Sequence, residues 1–581
     1  MDNLSRRAMR LDLNNTAVFT EQARRRNSVA RIALGLAMAE TMVELLGFGG
    51  LAAGCARAKK TPAPAAHGQA ADLSPAHPAP PAAVLPPPAA VPPPPQTAGT
   101  LRVHLDAEPA NLLPLGDDAA AAQVTAGLVY QTLLDCSDGT YRPGLAESWD
   151  VSNDRMRLAV RVKSGVRWHD HRAFGVLDVQ ATIEPLLRAG TDAPAFRAAL
   201  ADVASIELVT ERTIRFVLKR PSDFALRALC DVPILPDHLI RGARLESSPI
   251  ARQPVGTGPF RFGGWEHGKR IRLERSSDSW GPRPGVDEIV FDVDPDAVRA
   301  LNRTRRGEID LLTRVLDVHY PDQVEPTTLH GATALLRLPS RRYSFLLVNH
   351  QRYPLSDPRF RRAIAGLWDR ARLASELHAG LAHPIGGPPL AGDIPAAPAD
   401  RARAVAALED AGYRDSDADG VRDHLGHPIR MTMLEPAGNK LFNVEARAFV
   451  LEMRKAGLLV DLVPADAATT MARLKRGDFD LCPMTWQGAP DEDPTPLYGA
   501  TGAFNYGGYR SSALEALLDE ARNAQGPAAR APILGRIARL LADDQPVIFL
   551  YQYDVPALVA ARVRGLAAVD ARFDLGRVWL Q

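Results

Sequence analysis

The chain reads as an α/β protein with mixed sheets, on three observations. From Thr100 onward, short β-branched runs alternate apolar and polar side chains; longer segments space their apolar residues three and four apart; and the two patterns follow one another along the chain. The strands are LRVHLD, LAVRVKS, RIRLERS and DEIVFDVD, with SIELVTERTIRFVLK forming a pair around a Thr-Glu-Arg turn. The helices are ARAVAALEDAGY and NVEARAFVLEMRKAGL, both stopped by glycine, then SALEALLDEAR and APILGRIARLLADD. No internal repeat is evident.

With 581 residues, 46% hydrophobic and 24% charged, the chain is long enough for roughly three or four domain-sized units with a sizeable core. Its 69 basic and 68 acidic residues balance to a net charge of +1, which leaves no electrostatic footprint for nucleic acid. There is no G-x-S-x-G elbow, P-loop, H-E-x-x-H or dinucleotide fingerprint. A hydrolase or nucleotide enzyme is therefore not supported, and no cofactor is implied.

Residues 1–55 and 56–99 are built differently from the rest. Arg24, Arg25, Arg26 and Arg31 precede the apolar run IALGLAMAETMVELLGFGGLAAGC, which ends in small residues at Cys55. That order resembles a bacterial lipoprotein signal, in which the Cys55 thiol is acylated. Glu40 and Glu44 interrupt the run, and the alternative is an uncut membrane anchor. Either way the remainder leaves the cytoplasm for the periplasm or the cell surface, tethered by its N-terminal end. The following segment, centred on PPAAVLPPPAAVPPPP, cannot bury enough apolar surface to fold and reads as a semi-rigid polyproline stalk.

Several local motifs invite a chemical reading. DSDADGVRD places Asp415, Asp417 and Asp419 before Gly420 and then Asp423, the first half of an EF-hand loop. The bidentate glutamate required at the twelfth loop position is replaced by Gly426, which favours an Asx-type turn over a calcium site. His169 and His171 would share a face on a strand, but a pair without a third ligand makes a poor metal site, and no metal is assigned. Cys136 and Cys230 are free to pair in an oxidising compartment, with connectivity open, while Cys482 in DFDLCPM reads as a buried, inert thiol. In PVGTGPF, Gly256 and Gly258 supply torsions closed to other residues and Pro259 removes a donor, so a rigid turn entering a strand is expected. Ser356 or Asp357 caps a helix whose arginines face solvent.

Nine blocks, in order, carry a resemblance: LRVHLDAEPANLLPL, PGLAESWDVSNDRMRLAVRVKSGVRWHD, QPVGTGPFRF, RGEIDLL, LLVNHQRYPLSDPRFRRAIAGLWDRARL, AALEDAGYRDSDADGVRD, MARLKRGDFDLCPMTW, YGGYRSSALEALLDEAR and QPVIFLYQYDVPALV. From about Thr100 to the C terminus they resemble the family 5 extracellular solute-binding proteins, the peptide- and nickel-type receptors of ABC importers. The resemblance implies a two-lobed periplasmic-binding-protein fold of class C, with mixed sheets, an extra subdomain in lobe I and a hinge between the lobes. Lobe I is expected at 100–343 with a return over 547–581, and lobe II at 344–546. The hinge strands would be the runs Ser344 to Asn349 and Pro546 to Tyr551. It also implies a small solute, foremost a peptide, bound in the cleft; a permease partner in the cytoplasmic membrane; a monomer; and no chemistry of the chain's own. The alternative is a sensory or scaffold lipoprotein that keeps the receptor fold without a transporter.

By the same resemblance, ligand chemistry concentrates in MTWQGAPDEDPTPLY. Peptide receptors of the family carry an aspartate three residues after the tryptophan, where it pairs with the ligand's α-ammonium. Here Trp486 is followed at that spacing by Ala489; Asp491 is the next carboxylate, with Glu492 and Asp493 behind it. Trp486, Gln487, Gly488 and Asp491 are therefore the binding candidates on this loop, joined by Asn349 and Glu108. In LEPAGNKLFN, where dipeptide-type relatives carry an arginine, Pro436 stands and Lys440 is the nearest cation, a point charge rather than a fork. The family has glycine where His171 stands, closing a turn.

Overall fold

The computed structural model describes residues 99–581 apart from 117, 137–139, 189–192, 243, 317–318, 326–328, 330–332, 438–439, 489–490 and 570–571. Cys55, the apolar run before it and the stalk lie outside the described residues. Among the described residues no helix is long and apolar enough to cross a membrane.

Alternation places the first strand at Thr100–Leu105, with Leu101, Val103 and Leu105 fully buried. It lies inside an 11-stranded mixed sheet whose order is Leu459–Ala465, Arg430–Pro436, Leu481–Gln487, Thr333–Val348, Val547–Ala560, Leu311–Leu312, Thr100–Leu105, Glu288–Val293, Arg270–Arg275 and Phe260–Glu266, with Ala382–Pro384 added beside Val547–Ala560. A separate antiparallel sheet runs in the order Ala146–Val151, Arg157–Val162, Thr213–Leu218, Val203–Thr210. Leu158, Val160, Ile214 and Phe216 join it to the first core. The Thr-Glu-Arg turn does separate two paired strands, closing at Thr210 opposite Thr213.

Two long strands, Thr333–Val348 and Val547–Ala560, pass through both halves of the molecule. Leu336, Leu338, Ala557 and Val559 pack in the core of the first half, whereas Leu346, Val348, Ile548 and Leu550 pack in a core of the second. The change of core falls where the pairing loses its regular register, between Pro339 and Tyr343 and again between Tyr343 and Phe345. Two cores flank the second half of the sheet, one under the helices Pro358–Gly366, Arg401–Asp410 and Lys440–Lys455, the other under Ser512–Asn523 and Gly526–Asp544. The last helix begins at Gly526 rather than Ala531, with Pro527 in its first turn, where the missing N–H costs nothing.

Three local expectations change. Neither Gly256 nor Gly258 has a left-handed backbone; a Cβ would fall 1.8 Å from the Val129 carbonyl oxygen at Gly256 and 2.3 Å from that of Leu128 at Gly258. Close approach of two backbones, not torsion, excludes side chains there. Asp357 caps the Pro358–Gly366 helix through the Arg359 N–H, but Arg361 does not face solvent. It is 5% exposed and donates to the carbonyls of Leu355, Ser356 and Gln545, tying the helix start to the end of the last helix. His169 and His171 sit in a turn, not on a strand, and part company: His169 bonds the backbone of Gly256 and Gly258, and His171 meets Asp278 at 2.6 Å. His171 has φ of 69°, the left-handed region that glycine adopts without strain.

Cys136 and Cys230 are disulfide-bonded. Cys482 is buried, and burial alone pushes its thiol up to about 12, so it carries almost no thiolate at neutral pH.

Candidate functional site

The strands Arg430–Pro436, Leu459–Ala465 and Leu481–Gln487 run in one direction, so their loops emerge together at their C-terminal ends. In open α/β sheets that end is where ligands bind. Opposite Trp486 stands Tyr343, at the point where the long strands change cores.

Trp486 is half-buried; its indole N–H donates to the Glu492 carboxylate at 2.6 Å, and its ring meets Phe504 at 5.3 Å and 63°. Phe504 in turn meets Tyr506 edge to face at 6.4 Å. Beneath them the Tyr343 and Tyr498 hydroxyls share a hydrogen bond of 2.9 Å. Burial raises both phenols, and the nearby Glu492 charge adds to the effect, so both stay protonated. The result is an aromatic wall with one carboxylate at its edge. Gly488 completes it: its N–H donates to the Arg341 carbonyl, and a Cβ would sit 3.2 Å from a Glu492 oxygen and 3.3 Å from that carbonyl. Gln487 is exposed.

Asp491 is on the same loop but turned the other way. Both its oxygens accept from the Arg530 guanidinium, Nε at 2.5 Å. Arg530 also donates to Asp223 at 2.8 Å and to the Tyr141 hydroxyl at 2.8 Å. Asp493 accepts from the Thr495 N–H and hydroxyl, opening the short helix Thr495–Tyr498, and burial raises its pKa. Ala489 lies outside the described residues.

The other sequence candidates are placed apart from this loop. Asn349 is 2% exposed and donates to the carbonyls of Gly477 and Phe479 while accepting from the Gln351 N–H. It stands at the opposite end of the strand pair from Trp486, roughly 20 Å along the strand at 3.3 Å per residue. Glu108 holds a hairpin tip: one oxygen accepts from Trp265 Nε1 at 2.9 Å and the Gly268 N–H at 2.9 Å, with His267 Nδ1 at 3.2 Å. The Gly268 bond, more than any other contact, lowers its pKa. Lys440 opens the Lys440–Lys455 helix; its side chain lies outside what is described. Asp415, Asp417 and Asp419 present oxygens within 4.8 Å of one another, all exposed. Each also accepts a loop N–H, from Gly420, Asp419 and Val421 respectively, whereas Asp423 is turned to Ser416.

Sequence reasoning did not single out Arg530. A signal was present: Arg530 falls on the apolar stripe of Ile533, Leu534, Ile537 and Leu541, where a charge needs a partner. Phe504 and Tyr498 had no such signal, because an aromatic in a loop looks the same whether it packs inward or lines a cleft.

A family model described as bacterial extracellular solute-binding proteins, family 5 Middle, matches residues 140–508. The oligopeptide-binding protein AppA of Bacillus subtilis is 26% identical over 480 residues, covering 79% of this chain and 87% of its own. The structure of that protein in complex with a nonapeptide superposes with a TM-score of 0.70 at 22% identity, covering 84% of this chain and 100% of the other. NikA from Brucella suis, in complex with Fe(III)-EDTA, does so with a TM-score of 0.71 at 21% identity, covering 83% and 100%. Likeness at this identity is a likeness of architecture: two lobes on a mixed α/β scaffold.

Proposed function

The chain belongs to the bacterial extracellular solute-binding proteins of family 5, receptors rather than enzymes, and from that footing we propose that it binds a peptide in the cleft between its lobes and delivers it to an ABC permease in the cytoplasmic membrane. The half-buried Trp486 at the C-terminal end of a parallel strand carries the reading. Its ring, with Phe504 and Tyr506, offers stacking to any flat or apolar ligand group. A cationic ligand group is assigned to the Glu492 carboxylate at the edge of that ring, while Asp491 is paired with Arg530.

Two strands whose residues change cores between Pro339 and Tyr343, and between Tyr553 and Val555, serve in this reading as the hinge. This reading moves the expected boundaries at 343/344 and 546/547 to about 340 and to just after Tyr553, since Leu346, Val348, Ile548 and Leu550 pack in the second half. Cys55 is the acylated anchor, the stalk a spacer, and the receptor a monomer.

Native mass spectrometry of the gently purified protein, followed by calorimetry with the compound found, tests the assignment. A ladder of peptide masses and a large loss of affinity in Trp486→Ala are expected; equal affinity in the variant would put the ligand elsewhere.

A further inference from the structure

We propose that Arg530 is the positioning residue of a clamp that holds the two lobes closed and ties the Trp486 loop to that closure. Its guanidinium is fully buried and is answered from three directions. Asp491, from lobe II, takes two of its donors; Asp223 and Tyr141, both from lobe I, take one each. The Phe224 ring lies under it, with 4.6 Å from the guanidinium carbon to the ring centre, and packs in the lobe II core although the rest of its helix, Phe224–Asp231, packs in lobe I.

The backbone repeats the bridge. The Asp223 N–H donates to the Arg522 carbonyl, and the Gly526 N–H donates to the Asp223 carboxylate. Arg155, from lobe I, donates to the Asn523 carbonyl at 2.6 Å and to that of Arg522 at 3.3 Å. Arg522, 2% exposed, faces Asp202 of lobe I at 3.8 Å. Every one of these bonds crosses from one lobe to the other.

Opening about the long strands separates Asp223 and Tyr141 from Arg530 and pulls Phe224 from its core. Partners taken from a buried guanidinium are replaced only by water reaching it, so the closed state is favoured by the chain itself. The same bidentate pair holds Asp491 at φ of 59°, a conformation costly for a non-glycine residue. Glu492 is the next residue, bonded to Trp486. Release of the clamp therefore releases the wall.

Spin labels on Val298→Cys, exposed in lobe I, and Leu451→Cys, exposed in lobe II, report the inter-lobe distance in the full-length, ligand-free chain carrying Cys55→Ser. Arg530→Met and Asp223→Asn should each move the main distance peak longer, and the double variant no further than Arg530→Met alone, since the Arg530–Asp223 contact that Asp223→Asn removes is already lost in it. Arg530→Lys, which keeps the charge but not the fork, should restore part of the short-distance population. If Arg530→Met does not fold, Asp223→Asn and Arg530→Lys carry the comparison. An unchanged distribution in the folded variants, or additive shifts, would overturn the clamp and leave a static brace. No ligand enters the measurement, so that outcome would leave the assignment as a solute receptor standing.

Discussion

Asp491 and Glu492 are adjacent carboxylates on one loop, and they face opposite worlds. Asp491 is one corner of a seam in which each charge is answered by the protein: Arg530, Asp223, Tyr141 and the backbone of the last helices. Glu492 edges a half-exposed aromatic wall of Trp486, Phe504 and Tyr506. The seam is buried and polar, with its geometry set by folding. The wall is only half-buried, and its carboxylate is answered by the Trp486 indole rather than by a buried cation. Spacing from a tryptophan therefore does not say how a carboxylate is engaged: Asp491 meets a buried guanidinium, Glu492 an indole N–H.

The comparison breaks most visibly at Arg530. Arg530→Met should cost about 3 to 5 kcal/mol in urea unfolding, because two largely buried carboxylates lose their shared, fully buried cation. A loss no larger than that of a surface substitution would mean the seam is hydrated and no different from the wall. Next comes the disulfide between Cys136 and Cys230, which joins the segment leading to Tyr141 to the helix that begins beside Asp223. Its reduction should lower stability by about 3 kcal/mol, read as a fall in Tm with dithiothreitol, and should expose the seam amides of Asp223 and Gly526 to hydrogen exchange before those of the strands.

The wall should behave in the opposite way. Trp486→Ala is expected to weaken ligand binding by roughly 30-fold while leaving Tm nearly unchanged. Glu492→Gln should weaken only cationic ligands, by roughly tenfold. If Asp491→Asn harms binding more than Glu492→Gln without loosening the lobes, the two carboxylates have been assigned the wrong way round. The smallest effect is expected at Asp415, Asp417 and Asp419, which are exposed yet already accept loop N–H groups. Chelator should change stability by less than about 0.5 kcal/mol, measured by thermal unfolding with and without calcium.

Much of the scaffold was legible because it follows from local periodicity. Alternation and β-branched content in LRVHLD and DEIVFDVD predict strands, and the two pair side by side in parallel, the second buried on both faces over Ile289–Asp292. Apolar spacing in NVEARAFVLEMRKAGL requires a helix, and Gly457, with φ of 77°, ends it where Gly was expected to. The buried thiol of Cys482 followed from its apolar strand. These features depend on residues within one or two turns of each other, so the chain carries them in its order.

Other features depend on residues far apart. Arg361 looks like any helix arginine until the carbonyl of Gln545 arrives beside it. Gly256 looks like a torsional need until the Val129 backbone passes at a distance no side chain allows. Arg530 and Asp223 are 307 positions apart, and only the meeting of the lobes makes them one group. The order of residues was enough for the α/β class, most strands and helices, and the loop on which Trp486 stands. Which partner answers each of the two neighbouring carboxylates, Arg530 for Asp491 and the Trp486 indole for Glu492, follows from segments that meet only on folding, because desolvation and distant packing make that choice.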